Sequence, residues 1–349
     1  MISCLLVKKI APNIALDKLL VPILVVVIVI AVLVIATVAT GKDTENVLES
    51  FFRGTFGSIH GFTAVLLRTT PLLLTGIGVA LAFRAKIINI GAEGQLYIGA
   101  LVTTWVGLSV DIPSILFIPL LVVLGFISGG AWASVAAFLK ARLGINEFLV
   151  TFMMNFIAIF LTSWAVLGPL KGSTLGLAQT DDIARSAMLP VFSDTRIHIG
   201  IVLAILACIA VYYFLNKTKK GFEIRAVGSN PLAARTAGIN TFRTIMLTMI
   251  ISGGLSGTAG MIEVTGLHHR LLDGISPGYG YTGIVIALVP NLNPIGVIPT
   301  AFLFGVVFAG MDAAHRIAGL PIGIVYTIQG IIMLVIISLQ FRRVRFWQK

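Results

Sequence analysis

Residues 114–139 read SILFIPLLVVLGFISGGAWASVAAFL, an unbroken run without one charged residue, closed by Lys140 and Arg142. At about 1.5 Å per helical residue it exceeds the roughly 30 Å hydrocarbon core of a bilayer. Such a run belongs in lipid. Further apolar runs lie on both sides of it, at Val21 to Thr40, Phe62 to Phe83, Gly94 to Val110, Phe148 to Leu167, Ile197 to Leu215, Thr244 to Ile262, Tyr281 to Val289, Ile295 to Met311 and Leu320 to Leu339. Together they predict an all-α polytopic transmembrane bundle of about ten helices. The run from Tyr281 to Val289 is too short to span alone. It is a half-helix or the inner part of a span that starts near Ser276.

Composition agrees with this reading. Of the 349 residues 57% are hydrophobic and 11% charged, against roughly 25% charged in an ordinary soluble protein. Too little charge is present to cover a soluble surface, so lipid must cover it. The net charge of +11 does not imply nucleic acid, because basic residues of membrane proteins gather on cytoplasmic loops. Cys4 and Cys208 stand apart, without the spacing of a disulfide framework or a metal site. Lys8, Lys9 and Lys18 precede the first run as they would a signal peptide, but its apolar length exceeds the usual signal core of about 7–15 residues. A retained first helix is expected.

The basic residues also orient the chain. With a cytoplasmic N-terminus and ten crossings, Arg84 and Lys86, Lys140 and Arg142, the Lys217 to Arg243 stretch and the tail bearing Arg342, Arg343, Arg345 and Lys349 all fall inside. The outer loops are then mixed or acidic, as at Asp181, Asp182 and Asp194. The expected layout is one transmembrane domain over residues 1–349, with both termini cytoplasmic. Its soluble parts are the N-terminus at 1–20, an external loop at 168–196, a cytoplasmic loop at 216–243 and a basic tail at 342–349.

The internal loop contains KKGFEIRAVGSNPLAARTAGINTF, punctuated as a short helix. Asn230 suits the cap, Pro231 the first helical position and Gly238 a left-handed stop. A helix of about two turns is marginal in water, so it either lies on its own bundle or docks into another protein. In the docking reading Ala233 and Ala234 permit close approach, while Arg225 and Arg235 meet acidic groups. A large charged residue at position 234 is then expected to abolish transport without unfolding the chain.

Other polar groups lie close to apolar runs. In FRAKIINIGAEGQLYIGA (Phe83 to Ala100), Asn89, Glu93 and Gln95 surround Gly91 and Gly94. Polar residues and irregular backbone at membrane depth belong either inside protein or on an aqueous cavity. A plain turn, with Glu93 solvated or paired to Arg84 or Lys86, is equally open. In GINEFLVTFMMNFIAIF (Gly144 to Phe160), Glu147, Thr151 and Asn155 recur every four residues as one polar stripe. That stripe serves helix-to-helix hydrogen bonding or a solute path. Pro290 and Pro294 bracket Asn291 and Asn293, so a helix breaks there, at a binding region or a tight turn. A P-loop is absent, as are the HExxH and GxSxG signatures, so the chain is neither its own P-loop ATPase nor a recognisable enzyme. Arg68 is the one ionisable residue deep in its run, and a sparse set of intramembrane charges favours a neutral cargo over a proton-coupled one.

Four landmarks together resemble the permease subunits of ATP-binding cassette importers, in the branch that carries nucleosides and simple sugars and is related to ribose and branched-chain amino-acid permeases. They are NIGAEGQ (Asn89 to Gln95), GINE with TFMMN (Gly144 to Asn155), RAVGSNPLAARTAGI (Arg225 to Ile239) and IALVPNLNPIG (Ile286 to Gly296). The likeness runs from about Thr70 to the C-terminus, and the GINE and MMN pair is closest to the nucleoside branch.

The resemblance implies a coupling helix at Pro231 to Gly238 that fits a groove of a separate ATPase, with Arg225, Gly228, Asn230, Pro231, Ala233, Ala234, Arg235 and Gly238 at the contact. Leu232 stands where the wider importer signature EAAxxxG has Glu. It also implies a second permease, identical or not, an external substrate-binding lipoprotein, ATP and Mg on the ATPase with no cofactor on this chain, and a place in the plasma or inner membrane. Asn89, Glu93, Gln95, Thr151 and Asn155 are the candidate path residues. Nucleosides are the expected cargo, with a simple sugar as the alternative. An ion- or proton-driven carrier acting alone and a membrane scaffold are the readings from other classes.

Overall fold

The computed structural model describes residues 27, 30–35, 37, 38, 41–173, 176–192 and 195–346, with side chains through 335. Among the described residues the elements are helical, with two isolated bridges and no strand. We number the helices α1 (Thr44–Arg53), α2 (Ile59–Arg84), α3 (Ala92–Ser109), α4 (Ser114–Leu143), α5 (Glu147–Leu167), α6 (Gly200–Lys217), α7 (Lys219–Ser229), α8 (Pro231–Thr236), α9 (Thr241–Ile262), α10 (Tyr279–Leu288), α11 (Pro294–Ala318) and α12 (Ile322–Phe346). Six are long and apolar enough to cross a membrane: α2, α4, α5, α6, α9 with its extension to His268, and α11. The chain is thus a multi-pass membrane protein. The expected first span, Val21 to Thr40, lies for the most part outside the described residues, as do the N-terminal segment 1–20 and residues 347–349 of the tail.

Two compact units divide the chain, one of residues 1–51 with 311–349 and one of residues 52–310. In the first, Gly319 at φ +66° turns the chain between α11 and α12, and His315 Nδ1 lies 2.6 Å from the Leu320 carbonyl.

In the second unit α9 packs on α2, α3, α4 and α7. Its sequence explains why. Within SGGLSG (Ser252 to Gly257), a Cβ on Gly253 or Gly257 would strike the backbone of α4 at Gly125 and Gly129. Lipid tails are as apolar as leucine, so helices in a membrane gain by close backbone contact, which small residues permit. Glycines thus line the contact on both α9 and α4, whereas the exposed faces of α4 and α6 carry large apolar side chains.

Helix ends depart from the apolar runs in ways that matter for the site. The α9 helix continues past Ile262 through a π-helical turn, Glu263–His268, which His269 ends at φ +56°. The run from Tyr281 to Val289 proves to be α10, whose ten residues reach about 15 Å, half a span. Between α10 and α11 the chain does break at Pro290 to Pro294, with Asn291 and Leu292 both at positive φ.

The 168–196 segment is not a free solvated loop. It folds back over the C-terminal end of α9 and the residues that follow: Thr180, Ile183 and Leu189 donate backbone N–H bonds to the carbonyls of Leu271, His269 and Thr265 at 2.9–3.0 Å. Arg270 and Asp182 add an ion pair at 2.9 Å. The expected span starting at Ile197 instead begins at Gly200, because Phe192 N–H bonds the Ile197 carbonyl and Ile199 N–H the Pro190 carbonyl, tying 197–199 into this cap. His198 is buried there, and its Nδ1 accepts the Gly200 N–H at 3.1 Å. Burial, and after it the nearness of the His269 imidazole, pushes its pKa down to about 4.

Candidate functional site

The polar residues singled out between Asn89 and Asn155 converge in one buried network. α5 begins at a joint written in its sequence: Gly144 turns the chain at φ +68°, and Asn146 caps the helix by accepting the Phe148 N–H. From that start the stripe of Glu147, Thr151 and Asn155 faces the irregular segment 85–91. Glu147 Oε1 accepts the Ile88 N–H at 3.3 Å and pairs with Lys140, and Thr151 Oγ1 accepts the Ile90 N–H at 3.3 Å. Asn155 does most, accepting from Gly94 N–H at 2.8 Å and donating to the Ile90 carbonyl at 3.0 Å and the Tyr281 hydroxyl at 3.2 Å. Each backbone group so held is one that no helix satisfies, and a buried orphan of this kind costs about 1–3 kcal/mol.

Asn89 and Gln95 lock together through two hydrogen bonds between their side-chain amides at 3.0 and 3.1 Å, and Asn89 Nδ2 also donates to Ser252 Oγ on α9 at 2.9 Å. Both are buried, with all four amide atoms of the pair engaged with each other. Glu93 is neither solvated nor paired with Arg84 or Lys86, the turn reading the sequence left open. It is buried, and its Oε2 accepts the Gly280 N–H at 2.6 Å. The reason is packing: Gly280 has no side chain, so the first turn of α10 lies directly on the backbone of Ala92 and Glu93. The carboxyl group thereby sits at two helix N-termini, those of α3 and α10, where unpaired backbone N–H groups need an acceptor.

Ser252, Gly280 and Tyr281 complete this network and were not foreseen. They lie 163, 187 and 126 residues from their partners, and no local spacing reports such contacts. Also unforeseen is the partner of Arg68, whose Nη1 donates to the Tyr279 hydroxyl at 2.5 Å.

The second candidate region is α7 and α8. Asn230 caps α8 as its sequence predicts, its Oδ1 accepting from Leu232 N–H at 3.0 Å and Ala233 N–H at 3.1 Å, and Gly238 follows at φ +82°. Leu232 is 76% exposed, and Pro231, Ala233 and Arg235 are exposed beside it. Three expectations change here. Ala234 is buried, because α8 turns that face onto α7 and α9, so a bulky charge at position 234 would disturb this chain's own packing. Arg225 does not point outward for an acidic partner: its Nη1 donates to the Leu215 carbonyl and to Asn216 Oδ1 at the end of α6. Gly228 is buried where a Cβ would strike the Arg84 carbonyl, so it lets α7 approach the end of α2.

A profile for the branched-chain amino acid transport system permease component matches residues 61–337, which covers both regions. The chain belongs to this permease family. Among its relatives, the guanosine ABC transporter permease protein NupP of Bacillus subtilis is 33% identical over 327 residues, 93% of this chain and 94% of the relative. The glucose ABC transporter permease protein TsgB13 of Haloferax volcanii is 33% identical over 333 residues, 92% of this chain and 87% of its own. The nucleoside ABC transporter permease protein NupB of Lactococcus lactis is 31% identical over 304 residues, 84% of each chain. No solved structure matches this permease. It is a transmembrane permease subunit of an ATP-binding cassette importer, a transport component that crosses the cell membrane several times.

Proposed function

We propose that this permease imports nucleosides by alternating access, driven by a separate ATPase that docks on α8. The single observation that carries the docking reading is the exposed Leu232 on an Asn-capped helix of six residues. So short a helix is not stable alone, and a bare leucine on it favours an apolar groove of a partner. Pro231, Ala233 and Arg235 share that surface, while Asn230 and Gly238 shape its ends. Arg225, Gly228 and Ala234 support it from within.

The layout that suits this function is a single transmembrane permease domain over 1–349, of ten segments with both termini cytoplasmic. It has the 216–243 loop facing the ATPase and the 168–196 cap facing a substrate-binding lipoprotein. ATP and Mg belong to the ATPase, and a second permease completes the path.

A neutral solute fits the centre of the bundle. Two helix N-termini meet at Glu93, and half-helix N-termini of this kind hold anions in transporters; here the chain supplies its own carboxylate. Asn89, Glu93, Gln95, Thr151 and Asn155 act as the rigid backing of the path and hold Tyr281, which is partly exposed, toward it. Nucleosides are favoured by the guanosine and nucleoside relatives, and a simple sugar by the glucose relative of equal identity. Uptake by cells expressing the whole importer, with guanosine, uridine, ribose and glucose as competitors, tests this. Competition by the two nucleosides alone is expected; competition by the sugars alone would replace nucleoside with sugar.

A further inference from the structure

A cavity of about 150 Å³ opens at the basic ends of α2 and α6, lined by Arg84, Tyr212, Asn216, Arg225, Asn293 and neighbouring apolar atoms. Two guanidiniums share it, and among the described residues no carboxylate pairs with either. Part of each is used in holding the fold. Arg84 Nε donates to the Leu292 carbonyl at 3.0 Å, and Arg225 uses Nη1 for the Leu215 carbonyl and Asn216. Each side chain has five N–H donors and keeps its charge at any physiological pH. Among the described residues, both Nη nitrogens of Arg84, and Nε and Nη2 of Arg225, donate to nothing. Two like charges in one half-enclosed polar cavity repel unless an anion lies between them.

We propose that Arg84 and Arg225 form a binding site for a phosphoryl oxyanion supplied by the headgroup of an anionic membrane lipid. Phosphate matches the guanidinium fork in shape and accepts paired hydrogen bonds from it. The walls are the ends of two membrane-spanning helices, which puts the cavity at the level of lipid headgroups. Basic pockets between helix ends on the inward side of a membrane are where anionic headgroups bind. The site stands apart from the transported solute. It clamps the break between α10 and α11 to the base of α7, the helix that carries α8, so its occupancy steadies the platform on which the docking helix rests.

The test uses the full-length permease, delipidated in neutral detergent and titrated with phosphatidylglycerol, phosphatidylcholine or inorganic phosphate, with retention read by native mass spectrometry. Phosphatidylglycerol is expected to bind at least tenfold more tightly than phosphatidylcholine, whose phosphate carries its own cation. Arg84→Gln and Arg225→Gln should each weaken it about tenfold, the worth of one charge-assisted contact. In the wild-type chain, phosphatidylglycerol should also slow hydrogen exchange in peptides covering 84–93 and 212–229, a readout that does not depend on whether the variants fold. Equal retention of the two lipids, unchanged retention in both variants, or no protection of those peptides overturns the proposal. Saturation by inorganic phosphate without any preference for phosphatidylglycerol overturns the lipid as the source.

Discussion

The Asn89 to Asn155 network and the α7–α8 segment are both polar interruptions between apolar runs, yet they put their side chains to opposite uses. In the network, asparagine and glutamine amides are spent on each other and on orphaned backbone of the same chain. At α8 the asparagine is spent on a cap, and a leucine faces outward beside Arg235. Polarity alone therefore does not mark the proposed docking surface. The buried polar groups tie elements of the bundle to one another, and the exposed apolar residue is the one that the proposed partner would cover.

The largest expected effect that bears on this contrast is Asn155→Leu. It leaves the Gly94 N–H and the Ile90 carbonyl unpaired in the bundle, at a cost of about 2–4 kcal/mol. The loss should appear as a lower melting temperature of the purified permease, and an unchanged melt would mean that the network is not what ties these elements together.

Next comes acid. The pKa of His198 in the folded cap is about 4, below the ordinary 6.5, so the unfolded segment takes the proton first. Stability of the cap is full above about pH 6.5 and falls as pH drops toward 4, by up to about 3 kcal/mol. Protection factors in peptides 176–199, taken against the intrinsic amide exchange rate at each pH, should fall between pH 7 and pH 5 while those of the α8 region, which has no such buried histidine, stay unchanged. An equal fall in both would remove His198 as the cause.

The smallest effect on stability distinguishes two adjacent positions. Ala234→Glu places a charge in a packed face and is expected to lower the folded yield, whereas Leu232→Glu should change stability by less than about 0.5 kcal/mol. Uptake and substrate-stimulated ATPase activity should nonetheless be lost in Leu232→Glu. A fully active Leu232→Glu permease would move the docking contact elsewhere.

Much of this was legible in the residues. The cap at Asn230, the left-handed glycine at 238, the short α10 and the break at Pro290 to Pro294 follow from backbone chemistry that acts over a few residues. The polar stripe of α5 was legible as a face, and the open choice between helix bonding and solute path arose because its partners are remote in sequence. The direction of Arg225 and Ala234 was misread for a related reason. A six-residue helix has no periodicity strong enough to say which side packs inward, and the motif containing Arg225 gives its chemistry without its rotamer.

The sequence by itself determined that the chain lives in lipid, because a charge fraction of 11% cannot cover a soluble surface and most of its long apolar runs match a bilayer. It also determined a short Asn-capped helix at Pro231 and membership among importer permeases. Only the tertiary structure decided that Glu93 serves Gly280, that Asn89 reaches Ser252 and that two arginines share one cavity. Hydrogen-bond partners are chosen by which helices can approach closely, and glycines far apart in the chain govern that approach.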